Sequence, residues 1–323
     1  MSNAQGYDRI STSLLKQIIH VIADPLAHIF NQSLQQGVFP DLFKIAKVNP
    51  IFKKGDSHEI SNYRPISLLP SISKVLEKIV YNRLFDFLNT HNILNSNQYG
   101  FRKNHSTDQA LIQIYDKITN AMANKQHVIG IFLDLSKAFD TLDHNILLYK
   151  LEFYGIRGQA LSWFKDYLIK RKQYVTFNGL NSDLLPVECG VPQGSILGPL
   201  LFLLYVNDLS NTSSLLSFVL FADDTNIFCS HKKLESLVNI LNNELSKVSN
   251  WFKCNKLSLN IKKTHFMHFK HNFHLEDTAP IIINIDNIHI EQIKTFKFLG
   301  VLIDDNLTWN ASINAKCKIN CIT

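Results

Sequence analysis

Paired cysteines are missing from this sequence. Its five, Cys189, Cys229, Cys254, Cys317 and Cys321, form an odd set without a Cys-x-x-Cys spacing. Neither a disulfide framework nor a zinc knuckle is therefore expected, and a reducing intracellular setting fits, with nucleus and cytoplasm unresolved. Cys317 and Cys321 stand at i, i+4 helical spacing and would suit a metal if other ligands joined them; free thiols are the simpler account. Residues 1–10 lack the basic and apolar regions of a signal peptide, so export is not expected. The longest apolar run, Ile196 to Val206, is interrupted by Gly198 and Pro199 and has about half of the ~20 residues a membrane span needs. It reads as a buried core helix, and no membrane partner is expected. Internal repeats, low-complexity tracts and obvious linkers are also missing, which leaves one mixed α/β body.

What is present is apolar mass with a modest basic excess. Of 323 residues, 46% are hydrophobic, enough for a sizeable core and too many for a disordered chain. A formal charge of +6 suits a polyanionic partner without demanding one.

The pattern along the chain predicts a succession of short elements. Leu15, Ile18, Ile19, Ile22, Leu26, Ile29 and Phe30 recur at helical spacing, with Pro25 expected to break the stretch into two helices. Residues 47–70 carry prolines, a glycine and cations, and read as short strands and loops. A helix is expected from Ser73 to Asn89, and a buried strand from Val128 to Leu135 with Asp134 near its end. The next helix should run from Asp143, as N-cap, to Tyr154. Asn178-Gly179 marks a tight turn, and a helix should follow the GVPQGS segment from Ile196 to Leu209. Two apolar strands then enclose the pair Asp223 and Asp224 at a hairpin tip. A helix from Leu234 to Trp251, a strand near His265 to Phe269, and small strands around Ile281 to Ile285 and Phe298 to Ile303 complete the pattern.

Carboxylates gathered on two buried strand ends repel one another unless a cation neutralises them. Magnesium is the natural choice, because it prefers hard oxygen ligands and takes one or two protein carboxylates, completing its shell with water and substrate phosphates. Two such ions can activate an attacking hydroxyl and stabilise a leaving pyrophosphate. Alone, an aspartate is more often a helix cap or turn residue, which is the expectation for Asp140, Asp143 and Asp208. For Asp134, Asp223 and Asp224, the ordered series of surrounding motifs points the other way.

Those motifs resemble the reverse transcriptases of non-LTR retrotransposons, in particular the jockey-like and related LINE elements, over about residues 10–310. FLDLSKAFDTLDH at 132–144 resembles the first palm motif, GVPQGSILGPLLFLLYVNDL at 190–209 the second, and FADD at 221–224 the polymerase box. SNYRPISLL at 61–69 and QYGFRKNHST at 98–107 resemble two finger motifs, NKLSLNIKKT at 255–264 the fourth palm motif, and FKFLGVLID at 296–304 the primer grip. The resemblance implies an α+β right-hand polymerase fold in which an antiparallel palm sheet packs on helices. A helical extension would occupy 1–46 and the fingers 47–126. The palm would occupy 127–310 with an inserted segment near 155–186, and 311–323 would begin a thumb that is otherwise largely absent.

It implies an RNA-directed DNA polymerase with an RNA template, a DNA primer and deoxynucleoside triphosphates as partners. An endonuclease is expected on another segment or chain. Asp134 and Asp223 would bind two Mg²⁺ ions, for which Mn²⁺ could substitute, with Asp224 a weaker or indirect ligand. Lys263, or its neighbour Lys262, would assist the departing pyrophosphate. Arg64 and Arg102 would hold the triphosphate through their guanidinium forks, with surface ion pairs as the plain alternative. Lys53 and Lys54 would be helpers or simply solvated charges. Phe139 would exclude a ribose 2′-hydroxyl or would simply pack in the core. Gln193 would be the polar contact near nucleotide and template, with Pro192 and Gly194 shaping its backbone. Phe298, Leu299 and Gly300 would hold the primer terminus, or merely end an apolar strand. Lys165, Lys170, Arg171 and Lys172 would contact nucleic-acid backbone without reading sequence. Three rivals stand beside this reading: a silent or truncated RNA-binding relative, an RNA-dependent RNA polymerase, and a metal-dependent nuclease.

Overall fold

The computed structural model describes residues 5–269 and 280–308. Cys317, Cys321 and the expected thumb segment 311–323 lie outside them. The first elements are α1 (Thr12–Gln36), β1 (Ile45–Phe52), β2 (Tyr63–Leu68), α2 (Ser71–Thr90), α3 (Thr107–Ala123) and β3 (His127–Leu133). Then come α4 (His144–Phe153), α5 (Gly158–Leu168), β4 (Arg171–Phe177), β5 (Leu180–Asn181), β6 (Leu185–Val187) and α6 (Gly198–Val206). The strands β7 (Ser217–Phe221) and β8 (Asp224–His231) precede α7 (Leu234–Cys254) and β9 (His265–Phe269). Short strands close the order: β10 (Asn284–Ile285), β11 (Ile288–His289), β12 (Glu291–Gln292), β13 (Thr295–Phe298) and β14 (Val301–Asp304). They form two compact units, Met1–Leu94 with Phe139–Val206, and Asn95–Ala138 with Asn207–Thr323.

In the first unit the expected break at Pro25 does not occur: α1 runs unbroken through it. Proline removes a backbone donor and crowds the carbonyl four residues earlier. Here Pro25 is exposed and Val21 is 71% exposed, so water can serve the released carbonyl. The sheet of this unit has the order β2-β1-β4-β5, with β6 also paired to β4. Two prolines sit inside its antiparallel pair β1–β2, directly opposite each other at Pro50 and Pro65. The bond from Lys53 N to Asn62 O sets the alternation, which makes the Pro50–Pro65 level a non-hydrogen-bonded pair where neither strand needs an N–H. Asp143 caps α4 as its sequence suggests, accepting from Asn145 N and Ile146 N. The apolar helix α6 is shorter than expected, ending at Val206, and all its residues except Pro199 are buried. Among the described residues no helix is long and apolar enough to cross a membrane.

The second unit is built on a sheet of order β12-β9-β3-β8-β7. Its central strand β3 is buried at every residue, which explains why it reads as a continuous apolar run rather than an alternating one. Val128 and Phe132 pack with Ala110, Ile114, Ile118 and Ala121 of α3. Leu237, Leu241, Leu245, Val248 and Phe252 form the buried stripe of α7, the i, i+4 pattern that drives an amphipathic helix onto a sheet.

Candidate active site

In the second unit, β7 and β8 are joined through Ala222 and Asp223, with Phe221 paired to Asp224. Ala222 is left-handed, with φ 56°, a conformation costly for a residue with a Cβ unless its surroundings enforce it. Gln98 does so. Its side chain is 2% exposed; Oε1 accepts from Ala222 N at 3.0 Å and from Gly100 N at 2.8 Å, and Nε2 donates to Ala222 O at 3.4 Å. Residues 97–99 run beside β7, where Tyr99 N donates to Leu220 O and Leu220 N to Asn97 O, both at 2.8 Å. Gly100 makes that approach possible, because a Cβ there would stand 2.2 Å from Ala222 N. Gly100→Ala must therefore shift backbone, and the cost of such overpacking is about 1–3 kcal/mol. Urea unfolding of the variant checks this, and an unchanged midpoint would show that the contact is not constraining.

Asp134 follows the last residue of β3. Leu133 pairs with Thr225 of β8, so continuing the register puts Asp134 level with Asp224 at the same end of adjacent strands. Asp223 and Asp224 are exposed and Asp134 is half-buried. A second segment fixes the Asp134 backbone: Asn260 N donates to Asp134 O at 2.8 Å, Ser136 N to Ser258 O at 2.9 Å, and Asp134 N to Thr264 Oγ1 at 3.4 Å. The exposed Lys263 lies in the single 3-10 turn, Ile261–Lys263, that carries this pinning segment into β9.

Carboxylate oxygens are the donors magnesium prefers, and the strand ends offer Asp134, Asp223 and Asp224; among the described residues, however, no group of three or more His, Cys, Asp or Glu side chains is gathered closely enough to hold a metal ion. A site with few protein ligands and room for water and phosphate is what this hard, octahedral ion takes.

Other residues named from the sequence have definite places. Arg102 Nη1 donates to Asn95 O at 2.8 Å and Gln98 O at 3.2 Å, so this guanidinium also braces the loop that carries the Gln98 clamp. Partial burial lowers its pKa, though an arginine remains charged. Phe298 is buried in the core beneath α3, while Gly300 is exposed in the turn between β13 and β14.

In the first unit, Arg64 is exposed on β2 opposite Ile51. Phe139 stacks on Phe202 of α6 with ring centroids 4.6 Å apart and stays half-buried. Gln193 O accepts from Ser67 N at 2.8 Å. Gly194 needs its missing side chain, because its φ is +128° and a Cβ would meet Ser67 O at 2.5 Å. Lys165, Lys170 and Lys172 are exposed. Arg171 corrects the sequence reading: it is 2% exposed, donates from Nη1 to Tyr167 O at 3.0 Å and lies over the Tyr167 ring. Its apolar surroundings and its attraction to buried Glu77 make it an internal cation rather than a nucleic-acid contact.

Four positions escaped the sequence reading: Gln98, Thr264, Glu77 and Asp140. Asp140 lies in a turn, as expected, and its Oδ1 in addition accepts from Gln193 Nε2 at 2.8 Å. Asp208 stands at the N-cap of a 3-10 turn, as expected, and its carboxylate also accepts from Trp251 Nε1 at 3.2 Å. Of the four, only Gln98 stands in a quoted motif two residues from a glycine, Gly100, a local hint of close backbone approach.

Residues 51–303 match the model of the family described as reverse transcriptase (RNA-dependent DNA polymerase). Among similar proteins, the "RNA-directed DNA polymerase from mobile element jockey" of Drosophila melanogaster is 29% identical over 321 residues, 97% of this chain and 34% of that protein. The "Probable RNA-directed DNA polymerase from transposon X-element" of the same organism is 30% identical, with the same coverage. That from transposon BS is 29% identical over 98% of this chain and 36% of the relative. The chain thus spans about a third of the length of these relatives.

Proposed function

The chain belongs to the reverse transcriptase (RNA-dependent DNA polymerase) family, and on that premise we propose that it adds deoxynucleotides to a primer 3′-hydroxyl on an RNA template. Its relatives among non-LTR retrotransposon polymerases support this reading, which makes the chain the polymerase portion of such an element. In right-hand terms, residues 47–126 supply the fingers, and 127–310 supply the palm with its insertion near 155–186.

The observation that carries the proposal is the strand-end arrangement itself. Asp223 and Asp224 sit at the β7–β8 turn clamped by Gln98, and Asp134 directly follows the neighbouring strand β3, its backbone pinned by residues 258–264. Asp134 and Asp223 would hold two Mg²⁺ ions, with Mn²⁺ as a substitute and Asp224 contributing less. When bound, the ions lower the pKa of the primer hydroxyl and compensate charge on the departing pyrophosphate. The clamped backbones keep the carboxylates from relaxing when charge develops, which is the preorganisation that makes electrostatic catalysis effective. Arg64 and Arg102 restrain the triphosphate, and Lys263 assists the leaving group. Phe139, braced by Phe202, crowds the space a 2′-hydroxyl would need, so DNA is the product. Gln193 and Gly194 border the nucleotide and template, and Phe298, Leu299 and Gly300 the primer end.

Extension of a DNA primer on an RNA template, run with deoxynucleotides and separately with ribonucleotides, tests the proposal. Extension with deoxynucleotides is expected. A preference for ribonucleotides would make the chain an RNA polymerase, and no extension with either would remove the activity.

A further inference from the structure

Gln193 is held at both ends within the first unit. Its backbone oxygen accepts from Ser67 N of β2 at 2.8 Å, and its side-chain nitrogen donates to Asp140 Oδ1 at 2.8 Å. The surrounding loop is closely bonded: Val191 N donates to Phe139 O at 2.9 Å, Gly190 N to Leu142 O at 2.8 Å, and His144 Nε2 to Gly190 O at 2.8 Å. Gln193 therefore has little freedom to reposition its backbone, and the variable left to its side chain is which way the amide faces.

A primary amide is ambiguous by itself, with a donor on one side and an acceptor on the other. An ionised carboxylate is not ambiguous, since it only accepts. We propose that Asp140 is a positioning residue that locks the Gln193 amide with its NH₂ group turned inward and its carbonyl oxygen presented outward as an acceptor for the incoming nucleotide. The inference rests on the nucleotide-contacting role of Gln193 given above. It assigns a polarity to that contact: the nucleotide group that meets Gln193 is a hydrogen-bond donor, such as a sugar hydroxyl or a base N–H. Because the bond to Asp140 is charge-assisted, it holds the orientation more firmly than a neutral partner would.

Asp140→Asn keeps the size of the side chain and can either donate or accept, so the amide of Gln193 can then turn over. In single-nucleotide extension, Asp140→Asn is expected to raise the KM for deoxynucleotide about tenfold, the factor equivalent to ~1.4 kcal/mol, with kcat and the unfolding midpoint close to native values. Selective ¹⁵N labelling of glutamine side chains gives a second readout. The Gln193 NH₂ resonances should shift in Asp140→Asn, while a Glu188→Gln control at an exposed position of the same loop should leave KM unchanged. An unchanged KM in an Asp140→Asn variant beside an active native chain would overturn the positioning role alone. A fall in kcat that tracks a loss of stability would reduce Asp140 to a structural support and equally overturn it. If the native chain extends no primer and binds no deoxynucleotide, the premise fails and the inference with it.

Discussion

Asp223→Asn and Asp134→Asn are each expected to lower the rate of single-nucleotide extension on the order of 10³-fold, the scale seen when a preorganised transition-state stabiliser is removed. Asp224→Asn should lose less. The substitutions preserve shape and remove one negative charge, so they test cation retention rather than packing. Asp223 and Asp224 are exposed, and Asp134 is half-buried with its backbone held by Asn260, Ser258 and Thr264. Stability should therefore change by no more than about 0.5 kcal/mol at the two exposed positions. Affinity for an RNA–DNA duplex, measured without nucleotide, should stay close to native. Equal rates in native and variant proteins would remove these carboxylates from the chemistry. A rate loss that follows a drop in unfolding midpoint would assign them to folding instead.

Glu77→Ala is expected to destabilise the chain by several kcal/mol, at about 1–3 kcal/mol for each buried donor left unsatisfied. Glu77 is fully buried in α2 and its Oε2 accepts from Ile196 N at 2.8 Å and Leu197 N at 3.2 Å, the donors that open α6. Ser73 Oγ and the Tyr167 hydroxyl also donate to it, at 3.2 and 3.4 Å. Alanine would strand these donors and leave the buried Arg171 cation without its carboxylate. Arg171 already carries a buried Nη2 with no hydrogen-bond partner among the described residues.

Burial raises the Glu77 pKa, against the opposing pull of Arg171 and the backbone donors. The sign of the pH effect follows directly. A carboxyl with a raised folded-state pKa contributes stability that is fully present below its unfolded value and is lost as pH rises through the folded value. Glu77→Gln keeps an acceptor for Ile196 and Leu197 but has no proton to exchange. The stability of the native chain relative to Glu77→Gln should thus decline from acid toward neutral pH in urea unfolding. A difference that grows with pH would contradict the direction of this shift.

These two sites differ in how far the sequence could reveal them. The strand carrying Asp134 and the hairpin carrying Asp223 follow from local apolar pattern, and Asp143 as a cap follows from its position before a helical run. Gln98 and Ala222 are 124 residues apart, and Asp134 and Thr264 are 130 apart; their meeting is decided by sheet order, which no local pattern encodes. Glu77 looks like a polar interruption of an amphipathic helix until Tyr167 and Arg171 are seen beside it. Arg171 reads as a nucleic-acid contact for the same reason, standing in a run with Lys170 and Lys172. Pro25 was misread because a proline breaks a helix only where the released carbonyl lacks another partner, and exposure at that point is a tertiary property. Asp140 was given the common role of its residue type, while its partner Gln193 lies 53 residues away.

The central claim is most directly tested by incubating the native chain with an RNA template, an annealed DNA primer and deoxynucleotides, and following primer length as Mg²⁺ is added and then chelated. The expected result is Mg²⁺-dependent extension that stops on chelation. Retained RNA–DNA binding with no extension at any Mg²⁺ concentration would contradict it, leaving a domain that binds nucleic acid through a polymerase fold without performing the chemistry.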